Sequence, residues 1–298
     1  MATLKVLNIN TLNTCAGRRM ASSKYVTIAI VVIMLVVGFA VGLVASPILL
    51  SQNVSQSTDP VWDQIQSSGV IKVGTDPSWP PYESLDNSGH IVGFEVDVAN
   101  AIAAKLGLTI QWQSVSFDNI ITSVQQKSLD MGVSGFSITA DRLEQVRFTV
   151  PHSTTRGQVI MLQSKIDSMD ISTISSINEL KSLNLKVGTQ DGTTEQQELL
   201  AAGVEIRSWN DFASAIQDMA SANPSVDCVY AETPITSAWI AQYLAQGIDI
   251  GIIYDHAYYP CAFLVNKNAY TFAAKLDGAL ADLIASGELD TLRAEWHA

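Results

Sequence analysis

The sequence predicts an α/β fold, and three observations carry that expectation. Short apolar runs alternate with segments of helical spacing in two blocks, about 61–151 and 156–259. Polar, Gly- and Pro-containing loops follow the apolar runs, where open α/β sheets bind ligands. Of the 298 residues, 47% are hydrophobic and only 15% charged, which suits a buried core and argues against a disordered chain.

The chain begins with a segment of a different kind. Residues 26–45 are 20 residues without a charge, about 30 Å long as a helix and enough to span a bilayer. Arg18, Arg19 and Lys24 precede the run, and Asp59 and Asp63 are the first charges after it. The positive-inside rule then predicts a cytoplasmic tail, 1–25, an anchor or signal segment, 26–50, and a linker, 51–60, leading to an external body. An uncleaved anchor is favoured over a signal peptide, whose apolar core is shorter, about 7–15 residues. Met20 is an alternative start to Met1. Gly38 and Gly42 read as ordinary membrane-helix glycines rather than a dimer seam. Asn53 opens a glycosylation sequon in the linker.

In the body, 71–74 reads as a strand and 86–89 as a hairpin turn. Val98, Ile102 and Leu106 recur at helical spacing up to Gly107. A strand is expected at 109–115, a helix at 119–127 and a buried strand at 131–133. The second block reads as strand 185–189, helix 194–202, strand 204–209 and helix 211–222. Strand 226–231, helix 234–246 and strand 248–254 continue it, and a strand at 260–267 with a helical tail closes the chain. Alternation of this kind points to mostly parallel sheets.

Charge and motifs exclude several functions. Four of the 17 Lys and Arg precede residue 50 and no acid does, so the rest carries 13 basic against 29 acidic residues. A body so acidic repels nucleic acid and anionic lipid. GxGxxG, GxxxxGK[ST] and GxSxG are absent, which removes nucleotide-phosphate and hydrolase signatures. Cys15, Cys228 and Cys261 form no CxxC and the four His no HxxxH, so neither a metal nor another cofactor is expected. Pairing of Cys228 with Cys261 stays open, because sequence does not fix their separation.

Four loops carry the chemistry: 74–82, 134–142, 190–194 and 230–234. Alone, Asp76 is a turn residue, Trp79 a core residue, Arg142 a surface charge, Thr193 and Thr194 helix caps, and Glu232 a first-turn acid. Together they describe a site. An Arg fork with hydroxyls and loop N–H groups binds a carboxylate. An acid on another strand end binds an ammonium, and an aromatic ring supplies an apolar wall. That set matches the zwitterionic backbone of a free amino acid.

At these residues the chain resembles the amino-acid-binding solute-binding proteins of ABC importers (extracellular solute-binding family 3, type II periplasmic-binding fold). Residues 71–83 (IKVGTDPSWPPYE) look like the family's opening strand and loop, and 92–99 (VGFEVDVA) like its first helix. Residues 137–142 (SITADR) are similar to its carboxylate-binding segment and 187–194 (VGTQDGTT) to its second-lobe anchor. Residues 279–287 (ALADLIASG), with Trp296, look like its closing helices.

The resemblance implies two lobes, each a mixed sheet flanked by helices. Lobe 1 is expected at 61–151 plus 263–298, lobe 2 at 157–257, and hinges at 152–156 and 258–262. It implies that Arg142 grips the ligand carboxylate with Ser137 and Thr194, and that the Gly135 carbonyl meets the ammonium. Trp79 and Phe117 would sandwich the side chain, Asp76 would face it, and Ser134 and Thr193 would line the site. Glu232 stands where the family usually has Asp, one methylene longer. The implied partners are an amino acid, of polar or cationic side chain for preference, and ABC permease subunits, with the receptor a monomer that catalyses no reaction. A dehydratase-like enzyme and a ligand-sensing ectodomain are the alternatives on this fold.

Overall fold

The computed structural model describes residues 59–298, apart from the side chains of 256–258. The expected tail, anchor, Met20 start, Gly38–Gly42 pair and Asn53 sequon lie outside the described residues. Among the described residues no helix is long and apolar enough to cross a membrane.

The first block opens with helix α1 (Pro60–Ser68) and strand β1 (Val70–Thr75). A small meander follows, β2 (Ser78–Trp79), β3 (Glu83–Leu85) and β4 (Ile91–Val92), with 86–89 as its turn. Next come α2 (Phe94–Lys105), β5 (Thr109–Ser114), α3 (Phe117–Gln125), β6 (Met131–Gly132), α4 (Ala140–Gln145) and β7 (Val146–Phe148). The second block contains β8 (Ser153–Leu162), α5 (Gln163–Ser168), α6 (Asn178–Ser182), β9 (Lys186–Gln190), α7 (Thr194–Ala202) and β10 (Glu205–Trp209). It continues through α8 (Phe212–Met219), β11 (Cys228–Glu232), α9 (Ile235–Leu244) and β12 (Ile250–Cys261). The chain ends with β13 (Leu264–Asn266), α10 (Tyr270–Ser286) and α11 (Glu288–Trp296).

These elements build two five-stranded sheets, in the orders β5-β1-β6-β13-β7 and β10-β9-β11-β8-β12. The sheets are mixed, as the family resemblance implies, and not mostly parallel as the alternation of strand and helix alone suggests. In the first, β1 is parallel to β5 and β6, but β13 returns antiparallel to β6 and β7. In the second, β9 is parallel to β10 and β11, while β8 is antiparallel to β11 and β12. Helical alternation reports only the crossover-linked strands, so the returning strands were invisible to it.

The first sheet packs α2 with α10 and α11, and contacts α3 through β1, β6 and β13. Phe94, Ile102, Phe272 and Leu280 are fully buried in this core. The second sheet packs α7, α8 and α9, with Leu180, Val187, Leu199 and Tyr230 buried around it. Two strands of chain run between the sheets, joining β7 to β8 and β12 to β13. They are stitched to each other by backbone bonds from Thr149 N to Phe263 O and from His152 N to Cys261 O.

Cys228 and Cys261 are both buried free thiols. Cys228 pairs with Met161 on β8 and Cys261 with Ser153, eight residues along the same strand. At about 3.3 Å per residue that is roughly 26 Å, far beyond disulfide reach.

One carboxylate ties the first helix to the last pair. Asp59 Oδ1 accepts from Val61 N (3.1 Å) and Trp62 N (3.3 Å), capping α1. Its Oδ2 accepts from Thr271 N (2.8 Å) and Phe272 N (3.1 Å), capping α10 as well. Replacing Asp59 by Ala removes both caps and is expected to lower stability by about 2 kcal/mol, measured by urea unfolding, since a single cap contributes about 0.5–2 kcal/mol. A loss below a few tenths would show that solvent replaces those bonds.

Candidate functional site

The loops at the ends of the strands converge on one cavity, in which about 350 Å³, its opening to solvent included, is free of protein atoms. From the first sheet come Asp76, Ser78 and Trp79 after β1, Phe117 at the start of α3, Ser134 and Gly135 after β6, and Arg142 on α4. From the second come Gln190, Thr193, Thr194 and Glu195 around the β9–α7 junction, Phe212 on α8 and Glu232 at the end of β11.

Nine of the ten residues expected from the sequence therefore line this cavity. The tenth, Ser137, stands behind it, and its hydroxyl donates to Glu232 Oε1 (2.9 Å). The structure also adds Ser78, Gln190, Glu195 and Phe212. Glu195 follows Thr194 in the first turn of α7, whereas Glu232, expected as a first-turn acid, ends β11 three residues before α9.

Arg142 is 4% exposed. Its Nη1 donates to Ser137 O (2.9 Å) and its Nη2 to Gly192 O (3.2 Å), so it joins the two halves. Its guanidinium carbon lies 5.5 Å and 5.4 Å from the ring centres of Phe117 and Phe136. It forms no ion pair with a described residue. A guanidinium has five N–H donors, and two carbonyls do not engage them all. Burial draws its pKa down, while the Glu232 and Glu195 charges oppose that shift.

The sheet-two wall is acidic. Burial, and after it the Glu232 charge, hold the Glu195 carboxyl well above the usual range. Burial also raises Glu232, against the hydrogen bonds from Ser137 and Thr155. The side-chain oxygens Glu195 Oε1 and Thr194 Oγ1 and the indole Nε1 of Trp79 are buried without a partner.

Asp76 has more bonds than a simple ligand-facing acid. Its Oδ1 accepts from the Ser78 hydroxyl (2.8 Å), and its Oδ2 from Phe117 N (3.3 Å) and Gln190 Nε2 (2.9 Å). The Gln190 bond spans the two sheets. Burial nevertheless raises the Asp76 pKa.

The two aromatic residues are braced by partners of their own. Phe117 stacks on Phe136 with centres 4.6 Å apart, and Trp79 packs on Tyr82 at 4.8 Å. Trp79 also covers Gly135, whose φ is +57° and whose Cβ would lie 1.9 Å from the indole. Only glycine fits there.

A second polar layer supports this wall. Glu83 Oε1 accepts from Ser134 Oγ (3.0 Å), which itself accepts from Asp76 N (3.2 Å). Glu95 Oε2 accepts from Gly135 N (2.9 Å), and its Oε1 lies 2.8 Å from His152 Nε2. Among the described residues no His, Cys, Asp and Glu cluster could hold a metal ion.

Comparison with known proteins supports this fold. The sequence profile of the bacterial extracellular solute-binding proteins, family 3, matches residues 71–298. A putative ABC transporter arginine-binding protein 2 of Escherichia coli K12 is 27% identical over 231 residues, covering 76% of this chain and 90% of its own. A probable histidine-binding protein of Neisseria gonorrhoeae is 26% identical over 263 residues, covering 87% and 94%. Among solved structures, an ancestral arginine-binding protein bound to arginine superposes with a TM-score of 0.69 at 28% identity, covering 77% of this chain and 99% of its own. AncCDT-1, an ancestral amino acid-binding protein and precursor of cyclohexadienyl dehydratase, gives 0.68 at 26% identity, covering 78% and 98%.

Glu83 supplies a test of the polar layer. Burial, then the Glu95 charge, raises its carboxyl pKa well above the usual value. A carboxyl with a raised folded pKa favours folding below the unfolded pKa and loses that advantage as pH climbs towards the folded value. Glu83→Gln keeps an acceptor for Ser134 and removes the titration. Melting temperatures measured across pH should therefore fall less steeply above about pH 4.5 in the variant than in the parent. Parallel curves would contradict a neutral Glu83.

Proposed function

The chain belongs to the bacterial extracellular solute-binding proteins of family 3, and on that premise we propose that it captures a cationic L-amino acid outside the cytoplasm and delivers it to an ABC importer permease. The observation that carries this reading is the charge layout of the cavity. A buried Arg142 without a carboxylate partner shares the cavity with Glu195, Glu232 and Asp76. Arg142 and the Thr194 hydroxyl receive the α-carboxylate, Glu232 the α-ammonium, and the acidic remainder favours a positively charged side chain. The arginine- and histidine-binding relatives support the same choice of ligand.

In this reading the lobes are 61–151 with 263–298, and 157–257, and the hinges are 152–156 and 258–262. The paired crossings between the sheets support that division. Closure is stabilised by contacts available only when both lobes meet, such as Asp76 with Gln190 and Arg142 with Gly192. The receptor acts as a monomer. The uncharged segment 26–50 serves as a single-pass anchor, with the N-terminus cytoplasmic and the binding body outside.

Calorimetry tests the assignment. Arg142→Ala should weaken binding of L-arginine by about 2–5 kcal/mol, or about 30-fold and more, because a buried charge pair loses one member. Thermal unfolding of the variant verifies its fold. Unchanged affinity in a folded variant would contradict the role given to Arg142.

A further inference from the structure

We propose that Glu195 and Glu232 form a proton-sharing acid pair that gives up its proton when the ligand's cationic group enters, so that capture is coupled to proton release. The inference rests on the cationic-ligand reading above and adds a linked proton to it.

The geometry carries it. Glu195 lies in the first turn of α7 and Glu232 ends β11, and both line the cavity. They are 1% and 6% exposed. Both acids face one cavity with the buried Arg142, and the Glu232 charge raises the Glu195 carboxyl. Two carboxylates buried in one cavity repel each other, and one proton retained by the pair relieves that repulsion. Glu232 Oε1 already accepts from Ser137, whereas Glu195 Oε1 has no partner. Such an arrangement ionises one acid readily and the other reluctantly, and the two steps belong to the pair.

The neighbouring charges do not relieve it. Arg142, from α4, is the cation that acts on both acids. Glu198 on α7 acts against it on Glu195, while the buried Glu83 and the Cys261 thiol, whose own pKa values burial raises, bring Glu232 no positive charge. Thr155 on β8 supplies Glu232 with a further hydrogen bond. Glu198 is occupied by the Tyr230 hydroxyl (2.7 Å) and the Tyr259 hydroxyl. An arriving ammonium or guanidinium supplies the missing positive charge. The carboxylic O–H then breaks, its proton passes to solvent, and the ligand stays cationic beside two carboxylates.

Calorimetric titration of the full chain with L-arginine, in buffers of different ionisation enthalpy at one pH near about 6, measures the coupling. The expected result is release approaching about one proton per arginine bound, with affinity rising as pH rises by up to about tenfold per unit. In Glu195→Gln, arginine should bind more weakly, through Glu232 alone, while proton release falls towards zero. Should that variant fail to fold, infrared difference spectra of the parent decide the matter: arginine should bleach a protonated-carboxyl band. Arginine binding with the same enthalpy in every buffer and a pH-independent affinity would overturn the acid pair while leaving the ligand assignment intact. No binding of arginine or any other cationic amino acid would overturn the ligand assignment and this inference with it.

Discussion

A buried guanidinium that no carboxylate of the described protein neutralises organises this molecule. Arg142 cannot be held at 4% exposure without compensation, because an unpaired interior charge is expensive. The compensation comes from two carbonyls on different halves of the chain and from the faces of two phenylalanines. Each contact makes a demand on the fold. Ser137 O requires the loop after β6 to turn back, and Gly192 O requires the second sheet to approach the first. Phe117 must stack on Phe136, which fixes the start of α3.

The acidic wall answers the same constraint from the other side. Glu232 and Glu195 are too far buried to ionise freely, and their charges oppose the desolvation of Arg142. Ser137 links the two systems, presenting its carbonyl to Arg142 and its hydroxyl to Glu232. Beneath them, Glu83, Glu95 and Ser134 hold the backbone of 134–135 and Asp76 in place. The cavity face of 134–135 and Asp76 is therefore braced from behind by buried polar groups.

Much of this was legible in the sequence, for physical reasons that differ by residue. Arg142 on α4, Thr194 at the start of α7 and Glu232 at the end of β11 all cluster where strands give way to helices, and few structural roles need such groups together there. The rhythm of strand and helix placed most elements within a residue or two; α3 starts two residues early because Phe117 is drawn into its stack. The antiparallel returns through β8 and β13 were legible only as the mixed sheets the resemblance implies, since long-range pairing leaves no local period. Nor was the indirect role of Ser137, because position in a motif does not say which way a hydroxyl turns. Glu195 escaped because a first-turn acid is so common at helix N-termini that its burial cannot be read from the chain. The bracing of Trp79 by Gly135 depends on a left-handed glycine that only the folded backbone reveals.

The central claim is that this cavity reads both ends of a cationic amino acid, the carboxylate through Arg142 and the positive charges through the acids. A calorimetric comparison of L-arginine with agmatine, which lacks the α-carboxylate, and with L-citrulline, which lacks the side-chain charge, tests it most directly. Both analogues should bind at least about tenfold more weakly than arginine, since each leaves a buried charged group unmatched. Agmatine binding as tightly as arginine would contradict the account.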